Sequence, residues 1–479
     1  MMEQKAKKRT IISISQKTFL EVTILLVVLL AVSVVLTYVV PRGEFALLPN
    51  GEPNYLEYIQ RDDLSGIPIW QGLLAPILVF FSSDGLTLVM LSLFLFVISA
   101  AFQVMNDVGG IRVLVGAVSE RFRGKKKLLL VLIAFLFYCF GSFLGLFEEM
   151  LTMLPIVTAL CVVIGYDSFT GFIICILSCG FGFAGAITNP FTVLLASEII
   201  GVNPMEHIWF RILIFAVMFL LLLAFLFSYL RRIGKDPARS LTARHDLLLR
   251  ESAESVLNGQ AQTANDARIR LVYAVFLLTA LALIILCSLL SALRSYTVVV
   301  LIAYFLIFGI LAGRLARGET RSVLKSFLSG FAGALPTIVF IALAASIKFV
   351  FDRGSVLPTI VSQINRMIEG HSIYAIAIVI YLIVLLLEFF ISSSTAKAIL
   401  VMGLLAMVNT GLSKQMLVLL YTFGDGYTNV LFPTSPVLLL SLSMIELDYF
   451  TWIKKSAPLF AVNFALVILF ILLGIAVAY

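Results

Sequence analysis

Charge is what this chain has least of. Of its 479 residues only 13% are Asp, Glu, Lys or Arg, while 61% are hydrophobic and the mean hydropathy is +1.08. A water-soluble domain has no use for that much apolar surface, so the soluble globular classes are excluded and repeated apolar runs of roughly 20 residues read as membrane spans. The net charge of +7 would suggest nucleic acid in a soluble protein; here cytoplasmic anchoring residues account for it, and no nucleic-acid partner is expected. Histidine is nearly missing: His207 and His371 fall near span ends and His245 in a polar linker, none with a ligand partner. The five cysteines (Cys139, Cys161, Cys175, Cys179, Cys287) sit in apolar runs without CxxC or zinc spacing, which points to packing. HExxH, GxSxG and P-loop signatures are absent too. A membrane-embedded enzyme therefore has no support, an ATP-driven pump would need a separate subunit, and no cofactor or metal centre is expected.

What charge there is sets the topology. Basic residues gather at the N-terminus (Lys5, Lys7, Lys8, Arg9), at Arg121–Lys127, at Arg231–Arg250 and at Arg314–Lys325, whereas the Pro41–Trp70 loop is acidic. The positive-inside rule puts the basic clusters in the cytoplasm and the acidic loop outside. Under that constraint spans are expected at about 18–40 and 84–104. A hairpin entered from inside follows, with its tip at Gly141–Glu149. A crossing at about 168–200 is broken at Thr188-Asn189-Pro190, and a span at about 208–230 returns. Beyond a polar linker (233–267) and a connecting helix (268–291) the order repeats: spans at about 295–313 and 327–350, then a hairpin with arms at 372–390 and 397–411. A crossing at 414–445 is broken at Pro433–Pro436, and a final helix ends the chain. The expected fold is an all-α polytopic membrane protein, an inverted repeat of five plus five elements with one connecting helix, two re-entrant hairpins and two broken helices. The expected division is 1–126 and 268–371 for the first spans of each repeat, 127–232 and 372–479 for hairpin, broken helix and closing span, and 233–267 for the linker. The N-terminus is expected in the cytoplasm and the C-terminus outside a cell membrane. Trp70, Trp209 and Trp452 fall where interfacial aromatic belts occur. The blander reading is an ordinary helical bundle with polar kinks.

Interrupted apolar segments in matching positions of two halves point to a transporter's substrate site. Backbone that leaves the helix inside a bilayer is tolerated only where it is buried in protein or lines a wet cavity. The candidate site therefore collects Gly141, Ser142, Gly145, Glu148 and Glu149 at the first tip, with Thr188, Asn189 and Pro190 at the first break. From the second half come Glu388, Ser392, Ser393, Ser394, Thr395 and Lys397 at the tip, and Asp425, Asn429, Pro433, Thr434 and Ser435 around the break. The glycines are expected to let backbone approach a ligand, the hydroxyls and amides to bind it or a sodium ion. Intramembrane ionisable residues are functional by default. Glu148, Glu149, Glu388 and Asp425 against Lys397 is four acids to one base, a formal −3. That balance suits a cationic substrate, a coupling ion (sodium or proton), or both. A Glu388–Lys397 pair, or protonation of some acids, would absorb part of the charge.

The stretches GSFLGLFEEMLTMLP (141–155), GFGFAGAITNPF (180–191), FFISSSTAKAIL (389–400) and YTFGDGYTNVLFPTSPVL (421–438) resemble the YfcC family, which groups with C4-dicarboxylate anaerobic carrier-type proteins in the ion transporter superfamily. The resemblance runs over nearly the whole chain. It implies an elevator-type secondary transporter, a homodimer, in which hairpins and broken helices move against a scaffold. Relatives of this look exchange arginine for ornithine, whereas the superfamily label implies dicarboxylates. In the family the second tip usually carries Pro and Gly; here Ser392 and Ser394 stand there, followed by Lys397. The expected function is exchange of basic amino acids such as arginine and ornithine. The rival within the class is a sodium- or proton-coupled symporter of dicarboxylates, acidic amino acids or short peptides, and the rival outside it is a channel.

Overall fold

A computed structural model describes residues 16–479 apart from 50–52, 62, 64–65, 84, 123, 244, 248–263, 291–292, 294–295, 318, 369, 392 and 409. The N-terminal basic cluster and residues 244 and 248–263 of the linker therefore lie outside the described residues. The chain is mostly helical, and among the described residues nine helices are long and apolar enough to cross a membrane.

The first half runs α1 (Gln16–Val39), α2 (Ile69–Leu78), α3 (Gly85–Val108), α4 (Gly110–Arg121), α5 (Lys126–Cys139), α6 (Leu154–Val163), α7 (Ser168–Ala184), α8 (Pro190–Ile200) and α9 (Ile208–Lys235). The remainder runs α10 (Ala264–Leu289), α11 (Thr297–Arg317), α12 (Thr320–Gly333), α13 (Leu335–Arg353), α14 (Leu357–Ile368) and α15 (Ile373–Phe390). It ends with α16 (Ser394–Met407), α17 (Lys414–Gly426), α18 (Pro436–Met444) and α19 (Tyr449–Ala476). Capping explains the starts of the interrupted segments. Asp167 accepts from the Thr170 amide at 2.8 Å before α7, Ser413 from Met416 at 3.0 Å before α17, and Asp448 from Thr451 at 2.7 Å before α19. Each satisfies an amide donor that a helix start would leave orphaned. At both breaks the restart has a polar cap followed by proline at the first helical position, Asn189-Pro190 and Ser435-Pro436. Proline costs nothing there because its missing N–H is one of the orphans.

The helices of the two halves interleave. The α3 helix packs against α11 and α12, and α1 against α13. Small residues set the approach: Ser99 donates to the Gly330 carbonyl at 2.7 Å, and Phe96 stacks on Phe331 with centroids 4.3 Å apart.

Four features differ from the sequence expectation. The acidic loop contains an antiparallel hairpin, β1 (Gly43–Leu47) and β2 (Pro53–Gln60), so the fold is helical but not without strands. Its Tyr, Ile and Phe residues are strand formers that the charge reading passed over. The span expected at 327–350 lies within a longer membrane-length stretch, Thr320–Arg353, that a turn at Ala334 separates into α12 and α13. Trp452 is fully buried, donating to the Val430 carbonyl at 3.0 Å, so it is a packing residue rather than part of an aromatic belt. Part of the linker is docked: buried Asp246 accepts from the Ser168 amide at 3.1 Å, the Ser168 hydroxyl and the Thr242 hydroxyl at 2.8 Å.

Candidate functional site

Two clusters form, one at each tip–break pair. In the first, the α5 arm meets the break after α7. Ser142 donates to the Gly185 carbonyl at 2.8 Å, and its hydroxyl and carbonyl accept from the Ile187 amide, each at 3.2 Å. Thr188 donates to the Phe143 carbonyl at 3.2 Å. Asn189 is fully buried and works at both ends: its amide donates to the Gly141 carbonyl at 2.9 Å, while its oxygen accepts from the Phe191 and Thr192 amides at 2.9 and 3.2 Å. The side chains thus satisfy backbone groups that the broken helix frees, as a low-dielectric setting demands.

The glycines at the first tip allow close packing and a tight turn. A Cβ on Gly141 would lie 2.1 Å from the Cys179 carbonyl oxygen, and one on Gly182 2.2 Å from that of Tyr138. Gly141, just past the end of α5, therefore permits backbone-to-backbone packing on α7. Gly145 adopts φ +67°, a left-handed turn, and a Cβ there would meet the Asn189 side-chain oxygen at 2.8 Å.

The second cluster holds the charge. Lys397, on the first turns of α16, is fully buried and pairs with Glu388 from the end of α15 and with Asp425 from the end of α17, the latter at 2.8 Å. Its third acceptor is the Ile391 carbonyl at 3.4 Å. Ser394 donates to the other Asp425 oxygen at 2.9 Å, and the Tyr421 hydroxyl donates to the Ser394 carbonyl. Asn429 donates to the Asp425 carbonyl at 2.8 Å and the Gly426 carbonyl at 3.2 Å, sealing the end of α17. One base shared by two acids leaves this cluster at a formal −1. The anticipated Glu388–Lys397 pair is present, and Asp425 joins it.

The other expected residues make none of the hydrogen bonds or ion pairs described in these two clusters. Glu148 is exposed and Glu149 nearly buried, on a short turn (Glu148–Thr152) packed against α18. Among the described residues neither is in an ion pair. Ser393 is exposed and caps α16 through the Ala396 amide; Thr395 is exposed and Ser392 lies outside the described residues. Pro190, Pro433, Thr434 and Ser435 are buried, and Ser435 caps α18. The clusters adjoin, because Pro190–Leu194 packs against α16 and α17.

Sequence reasoning missed three participants. Tyr421 and Gly182 lie inside the stretches that carried the resemblance, but their types alone do not announce a hydrogen bond or a backbone contact. Arg211, in α9, is a second buried cation that the charge count left out. It donates to the Tyr479 hydroxyl at 2.7 Å beside the start of α17, roughly 18 Å along that helix from Asp425 at ~1.5 Å per residue.

Comparison with known proteins agrees in kind. Residues 20–476 match the family model described as "DcuC: C4-dicarboxylate anaerobic carrier". A protein of Escherichia coli (strain K12) named "Putative basic amino acid antiporter YfcC" is 28% identical over 447 residues, covering 89% of this chain and 85% of its own. An uncharacterized protein of Haemophilus influenzae is 23% identical over 379 residues, 76% of this chain and 71% of its own. Among solved structures, the YdaH transporter of Alcanivorax borkumensis aligns with TM-score 0.44 and 16% identity, over 96% of this chain and 99% of that one. MtrF of Neisseria gonorrhoeae, described with a class of antimetabolite efflux pumps, aligns with TM-score 0.43 and 16% identity, over 98% and 95%. Because the family model spans nearly the entire sequence, this multi-pass membrane protein belongs to the C4-dicarboxylate anaerobic carrier (DcuC) family of transporters.

Proposed function

We propose that the chain is a secondary active transporter of a basic amino acid, exchanging substrates of the arginine and ornithine type by alternating access. The observation that carries this reading is the position of Lys397. A carrier of dianions needs a cation free to meet the second carboxylate, and Lys397 is enclosed by Glu388 and Asp425. Arg211, the other buried base among the described residues, lies at the far end of α17. The name of the Escherichia coli relative supports the same substrate class.

The recurring order of hairpin arms and broken helix, α5–α8 and α15–α18, supports an inverted repeat with an elevator motion. In that arrangement 127–232 and 372–479 carry the substrate against 1–126 and 268–371, whose helices pack on one another. The charge pattern supports a cytoplasmic N-terminus, an external C-terminus and a place in the cell membrane. Assembly as a homodimer is part of the proposal, as is coupling to counter-substrate, proton or sodium.

The test is uptake of labelled arginine into proteoliposomes preloaded with ornithine or left empty, with and without a sodium gradient. Uptake accelerated by internal ornithine supports exchange; uptake driven by sodium alone replaces it with symport. Uptake of succinate or aspartate and not arginine overturns the cationic reading in favour of the family's descriptive name. Flux that fails to saturate would mean a channel.

A further inference from the structure

We propose that Lys397 is a built-in substitute for the substrate's cationic group: it fills the seat between Glu388 and Asp425 when the carrier is empty, and gives up one proton when substrate takes the seat. The inference rests on the basic-substrate reading and adds a proton step to it.

The geometry is that of an occupied cation seat. The ammonium reaches carboxylates from two different helix ends, one at 2.8 Å, and has a backbone carbonyl at 3.4 Å. Asp425 is oriented for it: Ser394 occupies one carboxylate oxygen and leaves the other toward Lys397, while Tyr421 fixes the Ser394 backbone. The seat stands where a hairpin tip meets a broken helix, the junction that would carry substrate.

Displacement has an electrostatic consequence. A guanidinium or ammonium arriving between Glu388 and Asp425 takes the partners that hold the charge of Lys397. Among the described residues, its hydrogen bonds and ion pairs go to Glu388, Asp425 and the Ile391 carbonyl alone. The titratable neighbours on elements packed against α16 do not offer a substitute. From α15 comes Glu388 and from α17 come Asp425 and Tyr421; Glu198 of α8 and Glu57 of β2 are exposed, and Tyr55 of β2 lies against Gly403 farther along α16. A buried ammonium beside a like charge and without counter-ion sheds its proton, and lysine does so readily when desolvated. The proton leaves Nζ for the aqueous side to which the site is open, and no other bond changes. The seat then bears the same charge empty or loaded. Exchange of one basic amino acid for another becomes proton-silent, whereas net uptake into an empty vesicle exports one proton per cation.

The experiment measures arginine binding to the purified full chain in weakly buffered detergent, with a pH indicator and by calorimetry from pH 6 to 8. Release of one proton per arginine, with affinity rising about tenfold per pH unit, is the expected result. Lys397→Met is expected to bind without proton release and without that pH dependence. Lys397→Arg, whose guanidinium stays charged, is expected to bind at least tenfold more weakly than the wild type. Arginine binding with no proton released by the wild-type protein overturns this inference and leaves the exchanger reading standing. Absence of binding by arginine, ornithine or lysine overturns both.

Discussion

Replacing Gly141 by alanine separates packing from ligand contact at the first tip. The added methyl would stand 2.1 Å from the Cys179 carbonyl oxygen, 3.0 Å from its carbonyl carbon and 3.2 Å from the Gly182 Cα. All three obstacles are backbone, so no rotamer change relieves them. Restoring even a tight contact near ~3 Å requires the α5 arm to retreat from α7 by roughly 1 Å, and such overpacking costs ~1–3 kcal/mol or more. The retreat also stretches the 2.9 Å bond between Asn189 and the Gly141 carbonyl and the 2.8 Å bond between Ser142 and the Gly185 carbonyl. Gly141→Ala is therefore expected to lower the thermal stability of the detergent-purified protein and to reduce maximal transport rate. Melting followed by size-exclusion chromatography, together with initial rates over a range of substrate concentrations, measures both. An unchanged melting profile with a raised KM would refute the packing argument and return Gly141 to the ligand.

Asn189→Ala removes three hydrogen bonds at once, among them a helix cap worth ~1 kcal/mol and the donor to a buried carbonyl worth ~1–3 kcal/mol. Stability should fall, and Asn189→Asp should do no better, because it keeps the cap but sets an oxygen against the Gly141 carbonyl; equal melting of Asp and wild type would contradict this. Ser394→Ala frees one oxygen of Asp425, and substrate affinity is expected to drop by roughly two- to tenfold, the equivalent of ~0.5–1.5 kcal/mol; unaltered binding would remove Ser394 from the seat. In the docked linker, burial holds the Asp246 carboxyl above the usual carboxylate range. Its ionised form thus burdens the folded state. Stability is fullest below the unfolded value of about 3.9 and is lost as pH rises through the raised folded one. Asp246→Asn should flatten that slope in denaturation curves taken from pH 4 to 7, and parallel slopes would exclude Asp246 as its source.

The interruptions were legible in the sequence because they violate a composition that is otherwise uniform. Gly-Ser, Asn-Pro and Pro-Thr-Ser-Pro inside apolar runs can only be breaks, and the chain is interrupted between α7 and α8 and between α17 and α18 there. Lys397 was legible as a candidate for the same reason, but its two partners were not. A sequence places Glu388 nine residues before Lys397 and Asp425 twenty-eight after it, and only the return of α17 alongside α15 brings both to one ammonium. The packing role of Gly141 was not legible because a missing side chain serves ligand approach and helix approach equally well. Docking of Thr242 and Asp246 escaped notice because short polar residues in a linker look the same whether they face water or cap a neighbouring helix.

The contact between the two broken helices constrains how the molecule can move. Methyl groups built on Gly426 and Gly180 would strike the Ala184 Cα at 2.5 Å and the Val430 side chain at 2.5 Å. The chain thus crosses itself at the breaks with hardly any side chain between the strands of backbone. Surfaces meshed at that distance cannot slide or pivot past each other by part of a residue without collision. Backbone contact at this crossing resists a hinge between the two tips. If the binding region changes its exposure from one side of the bilayer to the other, this contact favours travel as one solid piece, with the deformation at its outer margins, where β2 meets α16 and where Thr242 and Asp246 meet α7.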